Sequence, residues 1–332
     1  MSTPHFPITA LLPQIQQQLA GHPRLVLEAP PGAGKTTQVP LALLDAPWLQ
    51  GRRILLLEPR RVAARSAAMF MARQLGEAVG ETVGYRIRFE NRVSARTRIE
   101  VVTEGILTRL LQDDPLLETV GAILFDEFHE RHLSGDLGLA LALDVQSQLR
   151  PDLRLLVMSA TLDGERLARF LDAPRLSSEG RSFPVAVSHF PARREETLEL
   201  QVRRAVQQAL ATHPGDVLVF LPGQREIARV MAGLHEALDG STEVLALHGE
   251  LPVDQQAHVL QAGSADRRRV VLATNVAESS VTLPGVRVVI DSGQAREPRY
   301  DPNSGFTRLD VVTIAQASAD QRAGRAGRVA EG

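Results

Sequence analysis

Leu25-Val26-Leu27-Glu28-Ala29-Pro30-Pro31-Gly32-Ala33-Gly34-Lys35-Thr36-Thr37 is the stretch on which the fold turns. Its apolar run reads as a buried strand. Its glycines let the next backbone segment turn N–H groups inward, and Thr36 begins a helix whose N-terminus favours anions. Lys35 is the only lysine among 37 basic residues. A lysine kept at this one place has a task that a planar guanidinium does not do equivalently: reaching β- and γ-phosphates from inside a tight loop. Gly32, Ala33, Gly34, Lys35, Thr36 and Thr37 are therefore candidate ligands of a nucleoside triphosphate, and the Thr36 hydroxyl is a candidate Mg²⁺ ligand. Ala29 stands where the strict pattern has its first glycine, and a residue this small still allows close packing.

The surrounding composition fits a globular enzyme. With 332 residues and 44% hydrophobic content, the chain has the length of two domains and ample core material. No stretch approaches a membrane span, and the N-terminus lacks a basic region followed by an apolar one, so a cytoplasmic protein without a membrane partner is expected. The lack of cysteine excludes disulfides and thiolate metal sites. A net charge of −2 argues against bulk electrostatic binding to nucleic acid. Arginines nonetheless cluster at 52–53, 60–61, 86–98, 193–194, 203–204, 267–269 and 322–328, enough to make local grooves basic.

Outward from the opening stretch, apolar runs recur, each followed by a loop and a helix-like segment. They are Leu25–Leu27, Ile54–Leu57, Ile99–Val102, Ala122–Phe125 and Leu155–Met158, then Val217–Leu221, Val244–Leu247, Val270–Ala273 and Val286–Ile290. Strands buried on both faces and alternating with helices imply an α/β protein with mostly parallel sheets. Ala173–Arg194, rich in proline and poor in helical periodicity, separates the two series, which places domains at 1–180 and 181–332. The chain ends at Gly332 directly after a dense motif, the ending expected of a shortened chain.

Ala122–Phe125 runs into Asp126-Glu127-Phe128-His129. Beside a phosphate loop, a carboxylate at a strand end holds Mg²⁺ and its neighbour can orient and deprotonate the attacking water, which suits Asp126 and Glu127 respectively. Together with these carboxylates, Lys35-Thr36, Ser159-Ala160-Thr161 and Gln321-Arg322-Ala323-Gly324-Arg325-Ala326-Gly327-Arg328 occur in an order and spacing that resembles the superfamily 2 helicases of the DEAH group. Glu58–Ala64, Thr103–Arg109, Phe220–Gly223 and Ala273–Ser280 extend the resemblance over most of the chain. Within that group the chain is most similar to the bacterial HrpB-type ATP-dependent helicases. It departs from the name-giving motif at Phe128, where the family has alanine.

The resemblance implies two tandem RecA-like domains, with a β-hairpin inserted in the second. ATP and Mg²⁺ are then the implied cofactors, and single-stranded nucleic acid, RNA rather than DNA, the implied partner. It assigns catalysis to Glu127 together with Gln321, Arg325 and Arg328, the last three supplied by the second domain across a cleft. Arginines in such a role stabilise the charge that develops on the transferred phosphoryl group. It assigns coupling between nucleotide state and the rest of the motor to His129, Ser159 and Thr161, though a Ser-Ala-Thr tripeptide is also an ordinary helix cap. Phe70 falls near where DEAH enzymes carry an adenine-stacking arginine; it is a candidate to stack on the base and equally well placed as helix core.

Arg60 and Arg61, Thr103, and Thr274 and Asn275 follow strands at carboxyl ends, where open α/β sheets bind ligands. With Gly223, which the resemblance adds, they suit contacts to a phosphate backbone rather than to bases. Val286–Ser292 and Phe306–Val312 flank Gly293–Gly305, whose Tyr300–Gly305 segment is a strong turn signal, and this resembles the family's strand-separating hairpin. The main reading is an ATP-driven helicase or translocase. A nucleotide-gated RNA clamp is the alternative, and the Gln321–Arg328 motif weighs against a metabolic kinase.

Overall fold

The computed structural model describes residues 6–30, 32–160, 164–178, 183–238, 240–261, 263, 267–278, 283–328 and 330–332. Thr161 of the expected coupling tripeptide, and Ser279 and Ser280 of the Ala273–Ser280 match, lie outside the described residues. The chain divides into two compact units, Met1–Arg181 and Ser182–Gly332.

In the first unit the strands are β1 (Arg24–Glu28), β2 (Arg53–Glu58), β3 (Val83–Ile87), β4 (Glu90–Arg92), β5 (Ile99–Thr103), β6 (Val120–Phe125), β7 (Arg154–Ser159) and β8 (Arg175–Ser177). They form one sheet in the order β4-β3-β5-β2-β6-β7-β1-β8, parallel throughout except where β4 runs antiparallel to β3. The helices are α1 (Leu12–Gly21), α2 (Lys35–Leu43), α3 (Arg61–Leu75), α4 (Glu104–Asp113), α5 (Leu133–Gln148) and α6 (Gly164–Leu171). Successive strand side chains alternate between faces, so each run feeds two cores. Leu25, Leu27, Ile54, Leu56, Ala122 and Leu124 pack on the side of α1, α2 and α3. Val26, Leu55, Leu57, Ile123 and Phe125 pack on the side of α4, α5 and α6. This double burial is why the strands read as unbroken apolar runs.

The second unit repeats the plan on a smaller scale. Strands β9 (Asp216–Phe220), β10 (Thr242–Leu247), β11 (Arg268–Ala273) and β12 (Val286–Asp291) form a parallel sheet in the order β10-β11-β9-β12. Helices α7 (Leu198–Thr212), α8 (Gln224–Ala237) and α9 (Val253–Leu260) accompany them. A separate antiparallel ribbon follows, β13 (Gln294–Asp301) with β14 (Phe306–Thr313), and then α10 (Gln316–Ala323).

The ribbon corrects one expectation. Val286–Asp291 joins the parallel sheet as its apolar run implied, but the partner of β14 is Gln294–Asp301, which the sequence reading left undivided within the Gly293–Gly305 segment. Charged residues and Pro298 hide that strand, because a two-stranded ribbon with exposed faces needs no apolar run. β3, β4 and β8 also lie outside the expected runs, β3 because Gly84 and Arg86 interrupt its pattern, β4 and β8 because each has only three residues. Among the described residues no helix is long and apolar enough to cross a membrane.

Candidate nucleotide site

Because β6, β7 and β1 are adjacent and parallel, their carboxyl ends bring the phosphate loop beside the loop that carries Asp126 and Glu127. Gly32 and Gly34 adopt φ of +83° and +92°, a left-handed conformation that glycine enters without Cβ strain. Gly34 is the N-cap of α2, whose first turn carries no acidic residue to compete with an anion. A second constraint also acts on Gly34: a Cβ there would lie 2.8 Å from the Phe6 ring. The same N-terminal segment holds the loop through Ile8, whose N–H donates to the Ala33 carbonyl at 3.0 Å. Nothing in the sequence pattern singled out Phe6 or Ile8.

Lys35 is 3% exposed. Its Nζ donates to Glu127 Oε1 at 3.0 Å and lies 3.8 Å from Asp126 Oδ1. Burial works against its charge, but Glu127 and Asp126 outweigh burial and hold the ammonium above its ordinary value. Asp126 is pushed up, chiefly by burial. Burial works against the Glu127 charge as well, but the Lys35 ammonium outweighs it and holds the carboxyl below its ordinary range. Thr36 Oγ1 donates to Asp126 Oδ2, and the Glu127 N–H donates to Asp126 Oδ1 at 2.8 Å. The hydroxyl and carboxylate expected to share a Mg²⁺ ion thus face each other, an all-oxygen pair that suits a hard cation completing its shell from waters and phosphates. Among the described residues no group of three or more His, Cys, Asp or Glu forms a metal cage.

Phe128–Glu130 form a single 3₁₀ turn between Glu127 and Arg131, both at positive φ, +49° and +50°. His129 Nε2 lies 3.5 Å from Glu127 Oε2, while its Nδ1 accepts from the Ala160 N–H at 3.2 Å. Burial lowers the His129 pKa, so the ring is neutral with its proton on Nε2, directed at Glu127. The loop after β7 therefore reaches His129 through backbone; Ser159 itself is fully buried at the end of β7. Phe128 meets Phe125 edge-on at 6.4 Å, with the Arg131 guanidinium 5.7 Å from its ring. The Phe128 ring is thereby absorbed by packing against Phe125 and the core cluster to which Phe125 belongs.

Phe70 is 38% exposed on α3 and meets Phe6 edge-on, the ring centroids 6.3 Å apart. It lies at the surface beside the phosphate loop rather than in the helix core.

Around the rest of this sheet edge, Arg60 caps α3, exposed Arg61 opens it, and Thr103 caps α4. The pairing of β2 with β5 places all three side by side. In the second unit Gly223 caps α8 after β9, and Thr274 and Asn275 follow β11, the neighbour of β9. Gly223 is approached by the hairpin: a Cβ there would lie 2.7 Å from Arg296 Nε.

In the Gln321–Arg328 motif the arginines differ in environment. Arg322 is 1% exposed and pairs with Glu278 at 3.0 Å and Asp291 at 2.7 Å, its guanidinium 4.8 Å from the Phe220 ring. Arg325 donates from Nε to the Glu278 carbonyl at 3.1 Å. Gln321 and Arg328 are half-buried. Arg322 and Glu278 are thus the struts of this motif, a role that their pattern in the sequence does not reveal.

Both units match known proteins. Residues 11–170 match the DEAD/DEAH box helicase family, and residues 201–330 match the helicase conserved C-terminal domain. The ATP-dependent RNA helicase HrpB of Escherichia coli (strain K12) is 48% identical over 327 residues, covering 98% of this chain and 40% of that protein. The ATP-dependent RNA helicase HrpA homolog of Haemophilus influenzae is 38% identical over 329 residues, covering 98% of this chain and 25% of that protein. A crystal structure of the Escherichia coli DEAH/RHA helicase HrpB superimposes with a TM-score of 0.94 at 47% identity, covering 99% of this chain and 42% of the other. The tandem RecA-like architecture is shared. This chain spans 40% or less of the length of these relatives.

Proposed function

The chain belongs to the DEAD/DEAH box helicase family, and on that premise we propose that it is an ATP-hydrolysing motor that moves along single-stranded nucleic acid, RNA in preference to DNA. The observation that carries this reading is the buried constellation of Lys35, Thr36, Asp126 and Glu127 at neighbouring strand ends. When a triphosphate enters, its phosphates take over Lys35 from the carboxylates, and the Gly32–Gly34 backbone supplies further N–H donors. Glu127, released from the lysine, orients the attacking water and takes its proton. Thr36 and Asp126 would hold Mg²⁺, which neutralises phosphate charge when bound. His129 fixes one Glu127 oxygen and passes its position to the loop after β7.

Gln321, Arg325 and Arg328 stabilise charge on the transferred group, and Phe70 borders the base. Arg60, Arg61, Thr103, Gly223, Thr274 and Asn275 grip phosphates of the strand, and the β13–β14 ribbon meets the strand junction. The preference for RNA is supported by the name of the HrpB relative, an ATP-dependent RNA helicase. Anisotropy of a labelled single-stranded RNA titrated with Glu127→Gln protein tests the reading. Affinity at fixed salt should differ between ATP and ADP; equal affinity would contradict a nucleotide-driven motor.

A further inference from the structure

The turn that carries the candidate base is strained at both ends and clamped on one side. A left-handed conformation at two non-glycine residues, Glu127 and Arg131, persists only where the surroundings over-determine it. Part of that constraint is an ion pair. Glu130, the last residue of the turn, accepts from Arg60 Nη2 at 3.1 Å, and its Oε2 lies 2.7 Å from His132 Nε2. The Glu130 side chain is 5% exposed and that of Arg60 18% exposed, so solvent screens the pair little. At the other end of the turn, Glu127 is tied to Lys35. One short rigid element therefore has the candidate base at its start and, at its end, a carboxylate gripping an arginine on the nucleic-acid side of the sheet.

We propose that Glu130 is a positioning residue that couples strand binding to hydrolysis. A phosphate of the bound strand competes with Glu130 for the Arg60 Nη2 group, turning that donor from the carboxylate to the strand. Loss of the pair removes the clamp, the strained turn relaxes, and Glu127 moves from Lys35 towards the water it activates. The coupling rests on the reading of Arg60 as a phosphate contact.

The test uses Glu130→Gln, Arg60→Ala and the double variant, measuring ATP turnover with and without single-stranded RNA, and RNA affinity by anisotropy. Glu130→Gln should raise RNA-free turnover roughly two- to tenfold, the scale of one hydrogen bond's net contribution, because the glutamine amide oxygen still accepts weakly from Arg60. RNA stimulation should fall by the same factor, with RNA affinity unchanged or tighter. Arg60→Ala should raise RNA-free turnover similarly while weakening RNA binding, and the double variant should rise no further than either single one. A packing defect would lower turnover and melting temperature together; Glu130→Asp, which keeps the charge, should recover most of the parent's RNA stimulation. Unchanged RNA-free turnover and stimulation in Glu130→Gln, with RNA binding weakened in Arg60→Ala, would overturn the coupling and leave the nucleic-acid reading standing. Unchanged RNA affinity in Arg60→Ala would remove that reading and the coupling with it.

Discussion

Replacing Lys35 by methionine keeps a stem of similar length and deletes the ammonium, leaving two carboxylates without their cation in a site where Asp126 and Glu127 are each 5% exposed. Removing one partner of a buried ion pair costs about 3–5 kcal/mol, a large share of a typical domain stability of about 5–15 kcal/mol. For a unit of this size that corresponds to a fall in melting temperature of roughly 6–20 °C. The lower end is expected, because Asp126, already pushed up by burial, relieves the repulsion by taking a proton. The pH dependence follows. In the parent, Glu127 is held below its ordinary range, so its contribution is present above that range and is lost as pH falls through it. In Lys35→Met burial acts unopposed, both carboxyls rise, and the folded state binds more protons than the unfolded one. Stability of the variant then increases as pH falls towards the carboxylate range, and its deficit against the parent narrows. Thermal unfolding followed by circular dichroism at neutral and mildly acidic pH, without nucleotide, measures both effects. Adding Glu127→Gln to Lys35→Met should recover most of the loss. Identical melting of parent and Lys35→Met at neutral pH, or a deficit that widens on acidification, would refute the argument.

Other substitutions separate the remaining roles. Glu127→Gln should bind ATP and lose about 10²–10⁴-fold in turnover, the usual contribution of a positioned base, as single-turnover hydrolysis will show. Arg325→Ala should lower turnover by about 10³ with ATP affinity kept, whereas Arg194→Ala, whose pairing with Glu195 is 94% and 86% exposed, should leave both unchanged. Gly34→Ala, at φ +92° and against the Phe6 ring, should cost about 1–2 kcal/mol from the left-handed backbone alone and weaken ADP binding by calorimetry.

The parts of the fold that are buried on both faces were legible in the sequence, because a strand covered by helices on each side has to be apolar at every position. β1, β2, β5, β6 and β7 announced themselves this way, and so did β9 and β11, while β10 and β12, half-buried at the sheet edges, still carry apolar runs. The hairpin strand Gln294–Asp301 did not, since among the described residues it pairs only with β14 and its Glu297–Tyr300 stretch is exposed. In the nucleotide site the sequence exposed residues whose chemistry is rare in context, a lone lysine and paired acids after an apolar run. It did not expose Phe6, Ile8 or Glu130, nor the structural roles of Glu278 and Arg322. Those act through contacts with residues distant in the chain, such as Phe6 on Gly34 and Arg322 on Asp291, and only the folded arrangement brings them together.

ATP hydrolysis measured at one stated salt concentration with no polymer, with single-stranded RNA and with single-stranded DNA bears most directly on the central claim. A nucleic-acid-driven motor should hydrolyse ATP slowly alone and faster with the strand, RNA more than DNA, with all three rates reduced about 10²–10⁴-fold in Glu127→Gln. Turnover that is the same with and without polymer, or that is undiminished in Glu127→Gln, would contradict it.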